Sequence, residues 1–129
     1  MIPTYGLTHI ALAVRNAKES LRFYRKVFGV KVTYESEGWI EVQTPGKRDI
    51  ISFIEGKPNP GKMGGIAHFG FRLRKPTDIH AAIKKVEEAG GKILEQGHFT
   101  PDEPYAFVKD PDGYVVEIWY EPRKRRPKR

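Results

Sequence analysis

Read for hydrophobic period, the chain gives a strand, a helix and three strands, and then the same order again. That repeat is the mark a duplicated βαβββ module leaves, and it limits the fold more than any other feature of the sequence. The first half opens with LTHIALAV, alternating around His9. In NAKESLRFYRKVFG, Ala17, Leu21, Tyr24 and Phe28 fall on one helical stripe, with Asn16 and Glu19 placed as a cap and its partner and Gly29 as the stop. Strands are expected near VKVTYES, WIEVQT and DIISFIE, followed by a turn-rich linker, GKPNPGKMGG. After it come IAHFGFRL around His68, then TDIHAAIKKVEEAGG with Ile79, Ile83 and Val86 on one face and Gly90 past its end. Strands near KILEQGH, YAFVKD and YVVEIWY complete the second half. The expected fold class is α+β, with a first module over 1–56, a linker over 57–65, a second module over 66–121 and a basic tail over 122–129.

Identity between the halves is low, so the repeat rests on element order and on a few anchors. THIALAV lies over AHFGFRL, which sets His9 on His68. WIEVQTP lies over YAFVKDP, which sets Pro45 on Pro111. One extra residue after the first proline then lays IISFI over VVEIW and Glu117 on Ser52. Strand side chains alternate faces with period two, so equivalent positions in duplicated sheets point to equivalent places. Packed as pseudo-symmetric partners, the modules would bring His9, His68, Ser52 and Glu117 to one cavity.

Glu117 itself calls for such a partner. It interrupts a β-branched and aromatic run entered through the Asp110–Gly113 turn, and an ionised carboxylate taken out of water without compensation costs several kcal/mol. Two imidazoles and a carboxylate suit a divalent metal that keeps positions open for water and substrate. A single strand histidine is more often a core residue than a ligand. Here two occupy one place in a repeated unit, and the acid stands where a third ligand belongs, so the metal reading is favoured. His80, on a Lys-rich helix surface, and His98, at a strand end, have no repeat partner and read as surface residues.

Composition narrows the rest. Hydrophobic residues make up 39% of the chain, enough to bury a real core in one domain. There is no cysteine, so any metal must use His, Asp, Glu or water. No apolar run approaches the roughly 18 residues of a membrane span, and MIPTYGLTHI lacks a basic segment leading into an apolar one, so a cytoplasmic protein with no membrane partner is expected. The net charge of +7 is a property of the end of the chain. Residues 122–129 hold six of the 23 Lys/Arg, leaving 17 cations against 16 acids in the body. A Pro-interrupted basic tail is most simply a solvated end, which argues against nucleic acid as the partner and mildly favours an anionic substrate.

The motifs LTHIALAV with SLRFYRKVFGV, GGIAHFGFRL and FVKDPDGYVVEIWYEP together resemble the vicinal oxygen chelate superfamily, the glyoxalase/bleomycin resistance protein/extradiol dioxygenase family, over residues 5–121. The layout is nearest to glyoxalase I. That resemblance implies an eight-stranded, cup-shaped mixed sheet from two βαβββ modules and metal ligands at His9, His68 and Glu117. It also implies a Zn, Ni, Mn or Fe ion that polarises adjacent substrate oxygens, and a homodimer in which His9 meets His68 and Glu117 within one chain or across two. Departures bear on the reaction. Glyoxalase I has a glutamate at the place of Ser52, serving as ligand and base, and a serine hydroxyl is a poor base. Glu41, over Phe107, is the candidate substitute, with Ser52 positioning water. Fosfomycin-resistance enzymes and extradiol dioxygenases carry a cavity tyrosine where this chain has Phe107, with Tyr105 the nearest, and the glutamine ligand of methylmalonyl-CoA epimerase has no counterpart, since Gln43 is on the wrong strand.

The expected function is therefore a metal-dependent lyase or isomerase of the glyoxalase type acting on a small oxygen-rich substrate. The alternatives are a metal-free, drug-sequestering protein of the bleomycin-resistance kind, for which Trp39, Phe53, Tyr105, Phe107 and Trp119 are available as pocket walls although most of them read better as core, and a dioxygenase or thiol transferase of the same superfamily.

Overall fold

A computed structural model describes residues 7, 9–57, 68–120 and 122. Most of the expected linker and all but Pro122 of the basic tail lie outside the described residues. The elements follow in the order β1 (Ile10–Val14), α1 (Ala17–Phe28), β2 (Lys31–Ser36), β3 (Trp39–Gln43), β4 (Ile51–Glu55), β5 (Phe69–Arg72), α2 (Asp78–Glu88), β6 (Lys92–His98), β7 (Pro104–Lys109) and β8 (Val115–Trp119). The eight strands form two four-stranded mixed sheets of the same order, β1-β4-β3-β2 (sheet A) and β5-β8-β7-β6 (sheet B). In each, the first and fourth strands run parallel and the remaining pairs antiparallel. Both sheets also slip register at the same place, between Val32 and Tyr34 in one and between Ile93 and Glu95 in the other.

Local chemistry sets the bounds of α1. Asn16 is extended at φ −147°, and its side chain accepts from the Glu19 N–H at 3.1 Å, while Gly29 takes the left-handed conformation at φ 66° and donates to the Arg25 carbonyl. The Glu55 carboxylate accepts from the Ala17 N–H at 3.1 Å, adding a negative charge at the positive end of the helix. These contacts are worth about 1 kcal/mol each. Burying a large apolar side chain is worth roughly 1.5–3 kcal/mol, so packing holds the helices and the caps only set their ends.

The packed faces follow from alternation. Leu12, Val14, Ile40, Val42 and Phe53 of sheet A and Ala106, Val108, Val116 and Ile118 of sheet B are buried in one continuous core with Phe23, Tyr24 and Val86 of the helices. Helix α1 lies on β3 and β4, α2 lies on β6, β7 and β8, and the helices touch each other. Tyr24 joins the halves, its ring 5.0 Å from Phe53 and 6.2 Å from Phe71, and Phe28 stacks on Phe71 at 3.8 Å. The buried arc of α1 is rotated from the expected stripe. Ser20, Phe23 and Val27 are buried with Ala17 and Tyr24, while Leu21 and Phe28 are half-buried, because the helix packs not only on β3 and β4 but also on α2, on Phe71 and on the β7–β8 turn. In α2 the inward residues are Ile79, Ala82 and Val86, with Ile83 half-buried.

The turn between β7 and β8 latches onto the start of α1. Asp110 accepts from the backbone N–H groups of Asp112 and Tyr114 and from the Tyr24 hydroxyl, each at 2.9 Å. Asp112 accepts from the Arg15 N–H at 2.9 Å and from the Ser20 hydroxyl at 3.3 Å, and the Tyr114 hydroxyl donates to the Ala13 carbonyl at 2.8 Å. The two aspartates of this turn are thus buried structural acceptors that tie the second half of the chain to the first.

Candidate functional site

The helices cover one face of each sheet and leave the other for chemistry. On the helix-free face of sheet A, cross-strand register lines up Ala11, Ser52, Glu41 and Tyr34. Ser52 is buried and donates to the Glu41 carboxylate at 3.2 Å. His9 stands two residues before Ala11, so alternation puts it on this face, and it is exposed. Trp39 and Ile54 share the face at 40% and 39% exposure, large apolar groups left open to solvent.

On the helix-free face of sheet B the equivalent row is Gly70, Glu117, Phe107 and Glu95. Glu117 therefore occupies in sheet B the place of Ser52 in sheet A, and Phe107 that of Glu41. His68 stands two residues before Gly70 on the same face, its ring edge-on to Phe107 at 5.0 Å and 75°. His68 and Glu117 are diagonal neighbours on adjacent strands, a separation long side chains span. Glu117 is half-buried, and among the described residues its carboxylate accepts no hydrogen bond and forms no ion pair. An acid in that state has the donor chemistry of a ligand.

Gly70 is a site residue that the sequence reading passed over. A Cβ there would lie 2.8 Å from the Glu117 carbonyl oxygen and 3.1 Å from its Cβ. Sheet A tolerates Ala11 opposite Ser52, but sheet B needs glycine opposite Glu117. Substituting Gly70→Ala is expected to push β5 from β8, costing about 1–3 kcal/mol in urea unfolding.

The five nominated residues thus fall into two sets, His9, Ser52 and Glu41 on sheet A and His68 and Glu117 on sheet B. Among the described residues of one chain, no three His, Asp or Glu side chains gather closely enough to hold a metal ion. The donor types fit a divalent ion, and each sheet carries part of the set.

The aromatic residues divide between core and surface. Phe53 is not a pocket wall. It is fully buried against Tyr24, because it alternates with Ser52 and faces the helix. Tyr105 stays on the helix-free face, but its hydroxyl donates to Glu95 on β6 at 2.8 Å and its ring stacks on Phe99 at 4.0 Å. The bond to Glu95 raises the pKa of the phenol. That hydroxyl is committed to the edge strand, on the far side of β7 from Glu117. Together with Phe107 and Trp119, Tyr105 and Phe99 make a continuous aromatic strip beside Glu117. His80 and His98 are exposed, as expected of surface residues.

A family model for the glyoxalase/bleomycin resistance protein/dioxygenase superfamily matches residues 6–118. The chain belongs to that superfamily. It is 31% identical over 122 residues to a probable lactoylglutathione lyase of Vibrio parahaemolyticus, covering 87% of this chain and 88% of that one. It is 28% identical over 120 residues to a catechol-2,3-dioxygenase of Bacillus subtilis, and there it spans 87% of its own length but only 41% of the relative's. Among solved structures, the fosfomycin resistance protein FosX of Mesorhizobium loti superposes with a TM-score of 0.76 at 15% identity, over 93% of this chain and 95% of that one, a likeness of fold.

Proposed function

We propose that the chain is a divalent-metal-dependent lyase or isomerase of the glyoxalase type, with its site completed between two copies. The observation that carries the reading is the half-buried Glu117, without a partner among the described residues, beside His68 on one helix-free face, while the third ligand, His9, stands on the matching face of the other sheet. A homodimer that lays sheet A of one copy against sheet B of the other joins the sets twice. It also covers Trp39, Ile54 and the aromatic strip. The probable lactoylglutathione lyase among the relatives supports the reaction class. The modules would be 1–56 and 66–121, joined by 57–65, and the place of action the cytoplasm. Among the described residues no helix is long and apolar enough to cross a membrane.

His9, His68 and Glu117 would hold a Zn, Ni, Mn or Fe ion, which when bound supplies Lewis acidity toward adjacent oxygens of the substrate. The chain's own residues do the rest. Glu41 is the base that takes a proton from a carbon next to a carbonyl, and Ser52, through its 3.2 Å hydrogen bond, holds that carboxylate in one orientation. Phe107, in the row between Glu117 and Glu95, keeps water from one side of the site, and the aromatic strip binds the substrate's apolar part. The basic tail favours a substrate that is small and anionic.

Metal analysis of gently purified protein is expected to find one divalent ion per chain, lost in both His68→Ala and Glu117→Ala. Glu41→Gln is expected to keep the metal and lose activity on hemithioacetals by about 10²–10⁴-fold. Unchanged metal content in the ligand variants would sink the site, and full activity in Glu41→Gln would sink the role of that residue.

One observation favours a second reading, a metal-free module that sequesters a flat ligand. The aromatic strip of Phe99, Tyr105, Phe107 and Trp119 is large, and sheet A offers Ser52 where a further carboxylate would serve a metal. Saturable binding of an aromatic ligand by protein stripped with chelator, with no metal requirement, would support that reading over the first.

A further inference from the structure

A groove of about 590 Å³ runs along the outer side of α1, lined by Lys18, Leu21, Arg22, Arg25, Lys26 and Glu35 of β2. Helix α1 lies on the face of sheet A opposite to that of Ser52 and Glu41, so this groove is separate from the candidate metal site. Four of its six lining residues are cations. Lys18, Arg22 and Lys26 follow at four-residue spacing, the arrangement in which like charges on a helix repel. Arg25 and Lys26 lie in the last turn, where the helix dipole favours them. Lys18 and Arg22 have no such support. Among the described residues no carboxylate pairs with Lys18, Arg22 or Arg25, and Lys26 makes only a 3.4 Å contact to the Glu88 carbonyl. Glu35, the single acid among the described lining residues, forms no ion pair with them.

The groove also has an apolar floor. Leu21, half-buried, is its one apolar lining residue among those described, and the four cations that share the lining carry long aliphatic stems. A self-repelling row of cations around an apolar floor, in a hollow of ligand size, is matched by an anion that carries several charges on one group and an apolar body behind it. Guanidinium forks pair with phosphate oxygens two at a time, which favours phosphate over a lone carboxylate. We propose that this groove is a second ligand site that takes a small phosphorylated molecule with two or more negative charges, held by Lys18, Arg22, Arg25 and Lys26 with its apolar portion on Leu21.

The test is a titration of the full chain with adenosine triphosphate and, separately, with inorganic triphosphate at moderate salt, followed by amide chemical shifts. Saturable shifts are expected on residues 18–26 and at Glu35, with the nucleotide binding more tightly than triphosphate because only it has a body to cover Leu21. The double substitution Arg22→Gln with Arg25→Gln is expected to weaken binding by about tenfold or more. Removing the same charge from α2, Lys84→Gln with Lys85→Gln, is expected to change affinity less than about twofold. Shifts confined to the basic tail, shifts spread evenly over the cationic surface, or equal losses in the two double variants would each overturn the proposal.

Discussion

Mixing two inactive variants is expected to restore function. On the proposed shared site, His9→Ala chains and Glu117→Ala chains should each bind no metal alone, since each would lack one ligand in both sites of the homodimer. Refolded together at equal concentration, about half of the dimers pair one of each, if assembly is random. In such a heterodimer one site combines both defects. The other takes sheet A from the Glu117→Ala chain and sheet B from the His9→Ala chain, and all three ligands there are intact. Metal content and activity should therefore return to about one quarter of the wild-type level. Chains that build the site from their own two sheets cannot complement at all, and the mixture would then stay at background. Metal content is the cleaner readout, because it does not depend on having guessed the substrate. A recovered quarter with no activity on hemithioacetals would keep the shared site and discard the reaction class.

The sequence carried local information well and long-range information poorly, for a physical reason that particular residues make plain. Alternation is a property of neighbouring residues, so the buried faces of β1, β3, β7 and β8 could be read directly, and the register of Glu117 against Ser52 followed from Pro45 and Pro111. Asn16 and Gly29 bounded α1 because caps act within one turn. Alternation also held the answer for Phe53, which must face the helix if Ser52 faces away. The partners of Asp110 and Asp112 were hidden. A DPDG turn reads as a turn, and nothing in it announces that Tyr24, Ser20 and Arg15, more than 80 residues earlier, donate to its carboxylates. Tyr105 was hidden for a similar reason, since its hydroxyl is taken by Glu95 across a bulged strand pair whose register slip no local pattern signals. Gly70 was visible only as a glycine in a strand, a mark of close backbone approach that acquires meaning once Glu117 is placed opposite it.

The largest effect on stability is expected at Asp110. Replacing it by alanine leaves the Tyr24 hydroxyl, wholly buried between the two halves, and two turn N–H groups without their acceptor. Each such group costs about 1–3 kcal/mol when no water can reach it, so Asp110→Ala should lose about 3–5 kcal/mol, a large part of the stability of a domain this size. Tyr24→Phe removes only one donor from a carboxylate that keeps two, and should cost about 1 kcal/mol. Asparagine at 110 separates charge from shape, since its carbonyl can still accept from the turn. Burial lifts the Asp110 carboxyl above the ordinary carboxylate pKa, the nearby Asp112 charge adds to the rise, and the bonds from Tyr24, Tyr114 and Asp112 oppose it without cancelling it. With its folded value above its unfolded one, the native state holds the proton more tightly. The contribution of this group to stability is thus fully present below the unfolded carboxylate value and is lost as pH rises through the raised folded value. Urea unfolding of wild type and Asp110→Asn should therefore give a stability difference that shifts toward the wild type as pH is lowered from about 7 to about 4. A difference that shifts toward the variant on acidification would mean that the three hydrogen bonds, and not burial, dominate the titration of this carboxyl.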